Sequence, residues 1–205
     1  MSRGLLLVIS GPSGVGKSTA VAEVMRRYPN LRFSVSATTR PMRPGEQHGV
    51  NYYFVDQAQF DQMIAHGELL EHAEYVGNRY GTPAAPVDAA RDEGYDILLD
   101  IEPQGAMQVK SRRPDAVLIF LAAPSFAELE RRLTGRGDTA PEKIRQRLEK
   151  ARWEYAQAPK YDYIVLSDQV SSTADEIQAI ITAEKCRAPM RRDLVEEDTT
   201  CYTRP

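Results

Sequence analysis

The chain has 205 residues, 42% hydrophobic and 27% charged, which is close to an average soluble globular protein and excludes a disordered, collagen-like or disulfide-framework chain. Lys and Arg total 26 against 29 Asp and Glu, a formal net charge of −3, which argues against a generally basic nucleic-acid binder. The length suits one compact unit with room for an inserted subdomain.

Leu5–Ser10 is a short apolar run stopped by Gly11 and Pro12, the pattern of a buried parallel strand. It is too short for a membrane span or a signal h-region. Lys17–Tyr28 reads as a helix ended by Pro29, and Arg32–Ser36 as a strand. Thr38–Asn51, rich in Arg, Pro and Gly, reads as a loop before a strand at Tyr52–Val55. Asp56–His66 is a helix capped by Asp56 and closed by Gly67. Strands at Leu69–Tyr75 and Asn78–Gly81 precede a helix over Pro83–Glu93. Asp96–Glu102 is a second buried strand, followed by a helix to about Lys110, and Ala116–Leu121 is a third. Helices at Ser125–Leu133 and Pro141–Ala156 flank a Gly-rich break. Tyr163–Leu166 is the last strand and Ser171–Lys185 the last helix. From Ala188 the chain loses periodicity and reads as a fraying tail.

Buried strands alternating with helices predict an α/β fold, a doubly wound parallel sheet with helices on both faces and ligands at the carboxyl ends of its strands. The stretch from about Ser34 to Pro83 breaks that rhythm and reads as a small, mostly antiparallel insertion. The two cysteines, Cys186 and Cys201, have no metal or redox spacing, so reduced thiols in a cytoplasmic protein are expected.

Gly11-Pro12-Ser13-Gly14-Val15-Gly16-Lys17-Ser18 fits G-x-x-x-x-G-K-S/T between a predicted strand and a predicted helix. The glycines allow close backbone approach, successive N–H groups form an anion nest at the helix N-terminus, and Lys17 adds a point charge. The Ser18 hydroxyl is placed to ligate Mg²⁺ carried by a nucleoside triphosphate. Asp100, at the end of Ile97-Leu98-Leu99, is the matching second acid for that metal; its plainer reading is a cap on the next helix. A phosphate loop alone leaves a GTPase, a motor ATPase or a small-molecule kinase open. The chain has no Asn-Lys-x-Asp motif for guanine reading by a GTPase, and a motor usually needs more chain.

Arg40 and Arg43 sit three apart in a loop stiffened by Pro41 and Pro44, which lowers the entropy cost of holding two guanidinium forks together as a phosphate clamp. Three segments then carry a resemblance: SVSATTRPMRPGEQHGVNYYF at 34–54, Glu71-His-Ala-Glu with Gly77-Asn-Arg-Tyr-Gly81, and Asp100-Ile-Glu-Pro-Gln-Gly105. In order and spacing the chain resembles the guanylate kinase family from about Leu5 to Lys185.

The resemblance implies phosphoryl transfer from ATP to GMP, and a core (about 4–33, 84–124 and 158–187), a GMP-binding insertion (about 34–83) and a small helical lid (about 125–157). The tail from 188 onward lies outside these units. Arg40, Arg43, Tyr52 and Tyr80 match the residues that hold the acceptor phosphate, and Ser36, Glu71 and Glu102 those near the base. Guanine shows N1–H and N2–H₂ donors side by side, which a carboxylate accepts together, whereas adenine has a bare acceptor at N1. Ser36 and Thr82 are candidate donors to O6. Arg132, Arg136 and Arg147 match the lid arginines, and without the resemblance they read as solvated helix charges.

The match has departures. Thr82 stands where some members have Ser. Glu102, before Pro103, stands where Asp is common, and Ser167-Asp168 stands where Asn-Asp is frequent. The expected partners are the small molecules ATP and GMP with Mg²⁺, and no nucleic acid or membrane; monomer and homo-oligomer both stay open. His48, His66 and His72 receive no catalytic role. The rival readings are a non-catalytic guanylate-kinase-like peptide-binding module and a phosphate-loop kinase with another acceptor.

Overall fold

The computed structural model describes residues 3–135 and 141–192. Arg136, Gly137 and Cys201 lie outside the described residues. Strand β1 (Leu6–Ser10) is buried along its whole length. It pairs in parallel with β7 (Asp96–Asp100) on one side and β8 (Val117–Ala122) on the other. With β2 (Leu31–Phe33) and β9 (Tyr163–Leu166) the sheet runs β2-β7-β1-β8-β9, parallel throughout. The three central strands β1, β7 and β8 are buried on both faces and have no polar side to show, which is why they read as apolar runs.

The pleat sends alternate residues of β1 to opposite faces. Leu7 and Ile9 pack with Val21 and Val24 of α1 (Lys17–Arg27) and Ile177 and Ile181 of α7 (Val170–Lys185). Leu6 and Val8 pack with Val87 of α3 (Ala84–Asp92) and Val109 of α4 (Pro103–Arg112). The register sets Ile9 beside Asp100, so the end of β7 lies next to the loop that leaves β1.

The insertion is a second sheet, β4-β3-β6-β5, built from β3 (Ala37–Thr38), β4 (Tyr53–Phe54), β5 (Leu69–Tyr75) and β6 (Asn78–Pro83). Its small core is Ala37, Phe60 and Leu69, under α2 (Gln57–Ala65). Asp56 caps α2 in a reciprocal box with Gln59. β5 and β6 are antiparallel with an irregularity between Leu69 and Glu71, which lets Glu71 face Thr82.

Some boundaries differ from expectation. β2 stops at Phe33; the Ser34 N–H still donates to the Leu98 carbonyl of β7 at 3.0 Å, and beyond it the chain turns into the insertion. The loop expected from Thr38 begins inside β3, which pairs in parallel with β4. Pro83 closes β6 and caps α3, and β7 ends at Asp100. Residues 188–190, expected to fray, form a short 3-10 turn. Helices α5 (Phe126–Thr134) and α6 (Pro141–Gln157) occupy the expected lid stretch. Among the described residues no helix is long and apolar enough to cross a membrane.

Candidate active site

The chain turns from β1 into α1 through Gly11–Gly16. Gly16 caps α1 with φ 98°, a left-handed conformation that a side chain makes costly. Gly14 adopts φ 85° and lies so close to Leu133 that an added β-carbon would come within 2.8 Å of it. Around this loop is a cavity of about 460 Å³, walled by Gly11, Pro12, Ser13, Gly14, Lys17 and Ser18 and closed on the far side by Arg147, Lys150 and Glu154 of α6. Lys17 Nζ lies 2.8 Å from Asp100 Oδ1, an ion pair between the end of β7 and the start of α1.

Val15 differs from its neighbours: its side chain is fully buried. Its carbonyl accepts a hydrogen bond from the Ser167 hydroxyl at 2.7 Å and one from Arg132 Nη1 at 3.2 Å. Arg132 also donates to the Ser167 carbonyl at 2.9 Å and, through Nε, to Glu128 at 2.7 Å. Of the three expected lid arginines, Arg132 therefore braces the phosphate loop against the end of β9. Arg147 faces the cavity, and Arg136 is outside the described residues. Ser167 is buried against the loop and holds its carbonyl.

A second cavity, about 230 Å³, opens between the insertion and the carboxyl end of β7. Its walls include Ser36, Tyr52, Glu71, Tyr80, Asp100 and Glu102. It shares Tyr75 and Glu102 with the first, so the two meet at those side chains. Tyr52 and Tyr80 stack edge to face with ring centres 6.0 Å apart. The Arg40 guanidinium lies 5.5 Å from the Tyr52 ring centre and donates to Glu46 Oε1 at 2.7 Å. Glu46 first, and Tyr80 to a lesser degree, hold Arg40 even more firmly protonated than usual. The other Glu46 oxygen accepts from the Arg43 backbone N–H at 2.8 Å, while the Arg43 side chain is exposed.

Glu71 is 6% exposed. Burial pushes its carboxyl above the usual range, and hydrogen bonds from Thr82 pull the other way. Thr82 is buried behind Glu71, and its hydroxyl donates to Glu71 Oε1 at 2.7 Å. Pro103 occupies the first turn of α4, where its ring angle suits a helix, and Glu102 precedes it as the cap residue. The Glu102 carboxylate is paired with Lys150 at 2.6 Å. Glu154 is 4% exposed, and burial raises its carboxyl to about 7 despite the attraction of Lys150 and Lys17.

Three polar groups were absent from the expected set: Glu46, Lys150 and Glu154. Glu46 carried a signal, a carboxylate three residues after Arg43 in the same stiff loop. Lys150 and Glu154 carry no motif, and only the docking of α6 over the phosphate loop brings them to the site.

The guanylate kinase family model matches residues 3–184. The chain belongs to the guanylate kinase family. It is 50% identical over 204 residues to a guanylate kinase of Thermus thermophilus, covering 95% of this chain and 92% of that one. It is 54% identical over 178 residues to a guanylate kinase of Thermobifida fusca, covering 87% and 91%. The crystal structure of guanylate kinase from Anaplasma phagocytophilum superposes with a TM-score of 0.73 at 36% identity, covering 95% of each chain. The family match thus spans the phosphate loop, the insertion and the α5–α6 segment together.

Proposed function

We propose that the chain transfers the γ-phosphoryl group of ATP to GMP or dGMP, giving ADP and GDP or dGDP, in purine nucleotide metabolism. One observation carries the reading: a cavity built on a phosphate loop meets, at Tyr75 and Glu102, a second cavity that ends on a buried carboxylate. The first suits a triphosphate, the second a base that offers paired N–H donors.

In this reading the backbone N–H groups of Gly11–Ser18 and the Lys17 ammonium hold the donor phosphates. Tyr52, Tyr80 and the two loop guanidiniums of Arg40 and Arg43 hold the acceptor phosphate. Ser36 and Glu102 border the base, and Glu71 accepts from N1–H and N2–H₂. The acceptor phosphate has a second pKa of about 6, so at pH 7 it is already an anion and needs no general base. What remains is to bring two polyanions together and to stabilise a transition state whose charge is spread over several oxygens. Lys17, Arg40, Arg43, Arg132, Arg136 and Arg147 are the cations assigned to that task. Arg132 acts by keeping the phosphate loop in shape, and closure of the 125–157 segment excludes water.

Ser18 and Asp100 are the residues assigned to Mg²⁺. Hydroxyl and carboxylate oxygens suit this hard cation, and no group of three or more His, Cys, Asp or Glu able to hold a metal occurs among the described residues. When bound, Mg²⁺ neutralises charge between the β- and γ-phosphates. With only two cysteines in 205 residues, the chain suits a reducing compartment, the cytoplasm.

A coupled assay of ADP release tests the reading with GMP, dGMP, AMP and UMP as acceptors. GMP and dGMP are expected to be turned over in preference to AMP and UMP by about a thousandfold or more in kcat/KM, about 4 kcal/mol. Absence of GMP-dependent turnover contradicts the kinase reading and favours a peptide-binding module. Equal use of AMP contradicts the base-reading role of the carboxylates.

A further inference from the structure

We propose that Gly105 is a positioning residue for acceptor selection: the space left by its missing β-carbon is where the Glu71 carboxylate sits. The inference rests on the reading that Glu71 accepts from the guanine edge. A β-carbon built on Gly105 would lie 2.8 Å from Glu71 Oε2 and 3.3 Å from Glu71 Cδ. The first distance is closer than a methyl group and an oxygen can approach without one of them moving.

Glu71 can make way only by leaving its present place. Its other oxygen, Oε1, accepts the buried Thr82 hydroxyl at 2.7 Å. The same added β-carbon would also stand 3.3 Å from Ile101 Cδ1, so the methyl group is crowded from both sides. The carboxylate is therefore gripped at two points, by a hydroxyl on β6 and by the bare α-carbon in the first turn of α4. The grip fixes which edge of the carboxylate faces the second cavity, whose wall includes both Glu71 and Gly105.

A glycine in a helical turn is otherwise a disadvantage. It loses more chain entropy on folding than alanine, and alanine is the better helix former. The nearest obstruction to a methyl group at 105 is the tip of a flexible side chain and not backbone. Alanine at 105 is therefore compatible with the helix, and the displaced group is the base-reading carboxylate. Stability and acceptor recognition are expected to move in opposite directions, which a purely structural glycine does not produce.

The test compares Gly105→Ala, Glu71→Ala and the double variant by steady-state kinetics with GMP and ATP, together with thermal melting. Gly105→Ala is expected to raise KM for GMP by about tenfold or more, to leave KM for ATP within about twofold, and to keep or raise the melting midpoint. In the Glu71→Ala background, where no carboxylate remains to be displaced, the same substitution is expected to add no further loss. Three results overturn the proposal: an unchanged KM for GMP in Gly105→Ala while Glu71→Ala raises it, equal added losses in both backgrounds, or a lowered midpoint with both KM values raised together. An unchanged KM for GMP in Glu71→Ala overturns the underlying base-reading role, a distinct failure.

Discussion

Glu46 holds both arginine positions of the insertion loop at once: one carboxylate oxygen takes Arg40 Nη2 at 2.7 Å and the other takes the Arg43 backbone N–H at 2.8 Å. Two effects oppose each other here. The carboxylate competes with a phosphate for Arg40, in a pair whose side chains are only 11% and 20% exposed. It also orders an irregular loop, where freezing each backbone residue costs about 1–2 kcal/mol. Ordering outweighs competition. Glu46→Ala is expected to raise KM for GMP by about tenfold, ~1.4 kcal/mol, with KM for ATP unchanged. A fall in KM for GMP would mean that charge competition dominates.

Lys17 is the cation closest to the donor phosphates in this account, and in the structure it is paired with Asp100. Lys17→Ala is expected to lower kcat by about 10²–10³, the range for losing one preorganised donor to transition-state charge. The pair is partly exposed, so its contribution to stability is at most about 1 kcal/mol. Activity and melting measured on the same preparation check both halves of the expectation.

Glu154 gives the fold a pH dependence of definite sign. Its carboxyl is raised to about 7 in the folded chain, above the ordinary 4.5. Between those values the folded state keeps a proton that the unfolded state has lost, so stability falls as pH rises through that window and levels off above about 7. Glu154→Gln is expected to stabilise the protein by about 2 kcal/mol at pH 8 and to make little difference at pH 4. Denaturant unfolding at the two pH values checks this. Equal stabilisation at both would show that the charge is not the cause.

Ser167 donates to the Val15 carbonyl at 2.7 Å from a buried position. Ser167→Ala leaves that carbonyl with only the longer bond from Arg132. The expected cost is about 1 kcal/mol of stability and a rise in KM for ATP, with KM for GMP unaffected. Isothermal titration with each nucleotide separates the two sites.

The features most readable from sequence were local ones. The phosphate loop is contiguous, and its glycines, lysine and flanking apolar run announce both a conformation and a chemistry. The central strands β7 and β8 were legible because burial on both faces removes polar alternation. The grip on Glu71 was not legible, because it depends on three separated pieces: a one-residue irregularity in β5, the Thr82 hydroxyl on β6, and the first turn of α4. The Thr82–Glu71 hydrogen bond was not legible either, because a hydroxyl type says nothing about which partner its hydrogen meets. The short strands β3 and β4 have two residues each and carry no periodicity to detect.

The central claim is that a buried carboxylate selects the acceptor by its ring hydrogens. The most direct measurement is kcat/KM for GMP and for AMP, each at saturating ATP, in the unaltered protein and in Glu71→Gln. The account predicts that the substitution lowers kcat/KM for GMP by about 10–100-fold, the loss of a charge-assisted hydrogen-bonded pair, while AMP changes little, so the ratio collapses. A GMP-to-AMP ratio that survives Glu71→Gln unchanged would contradict it.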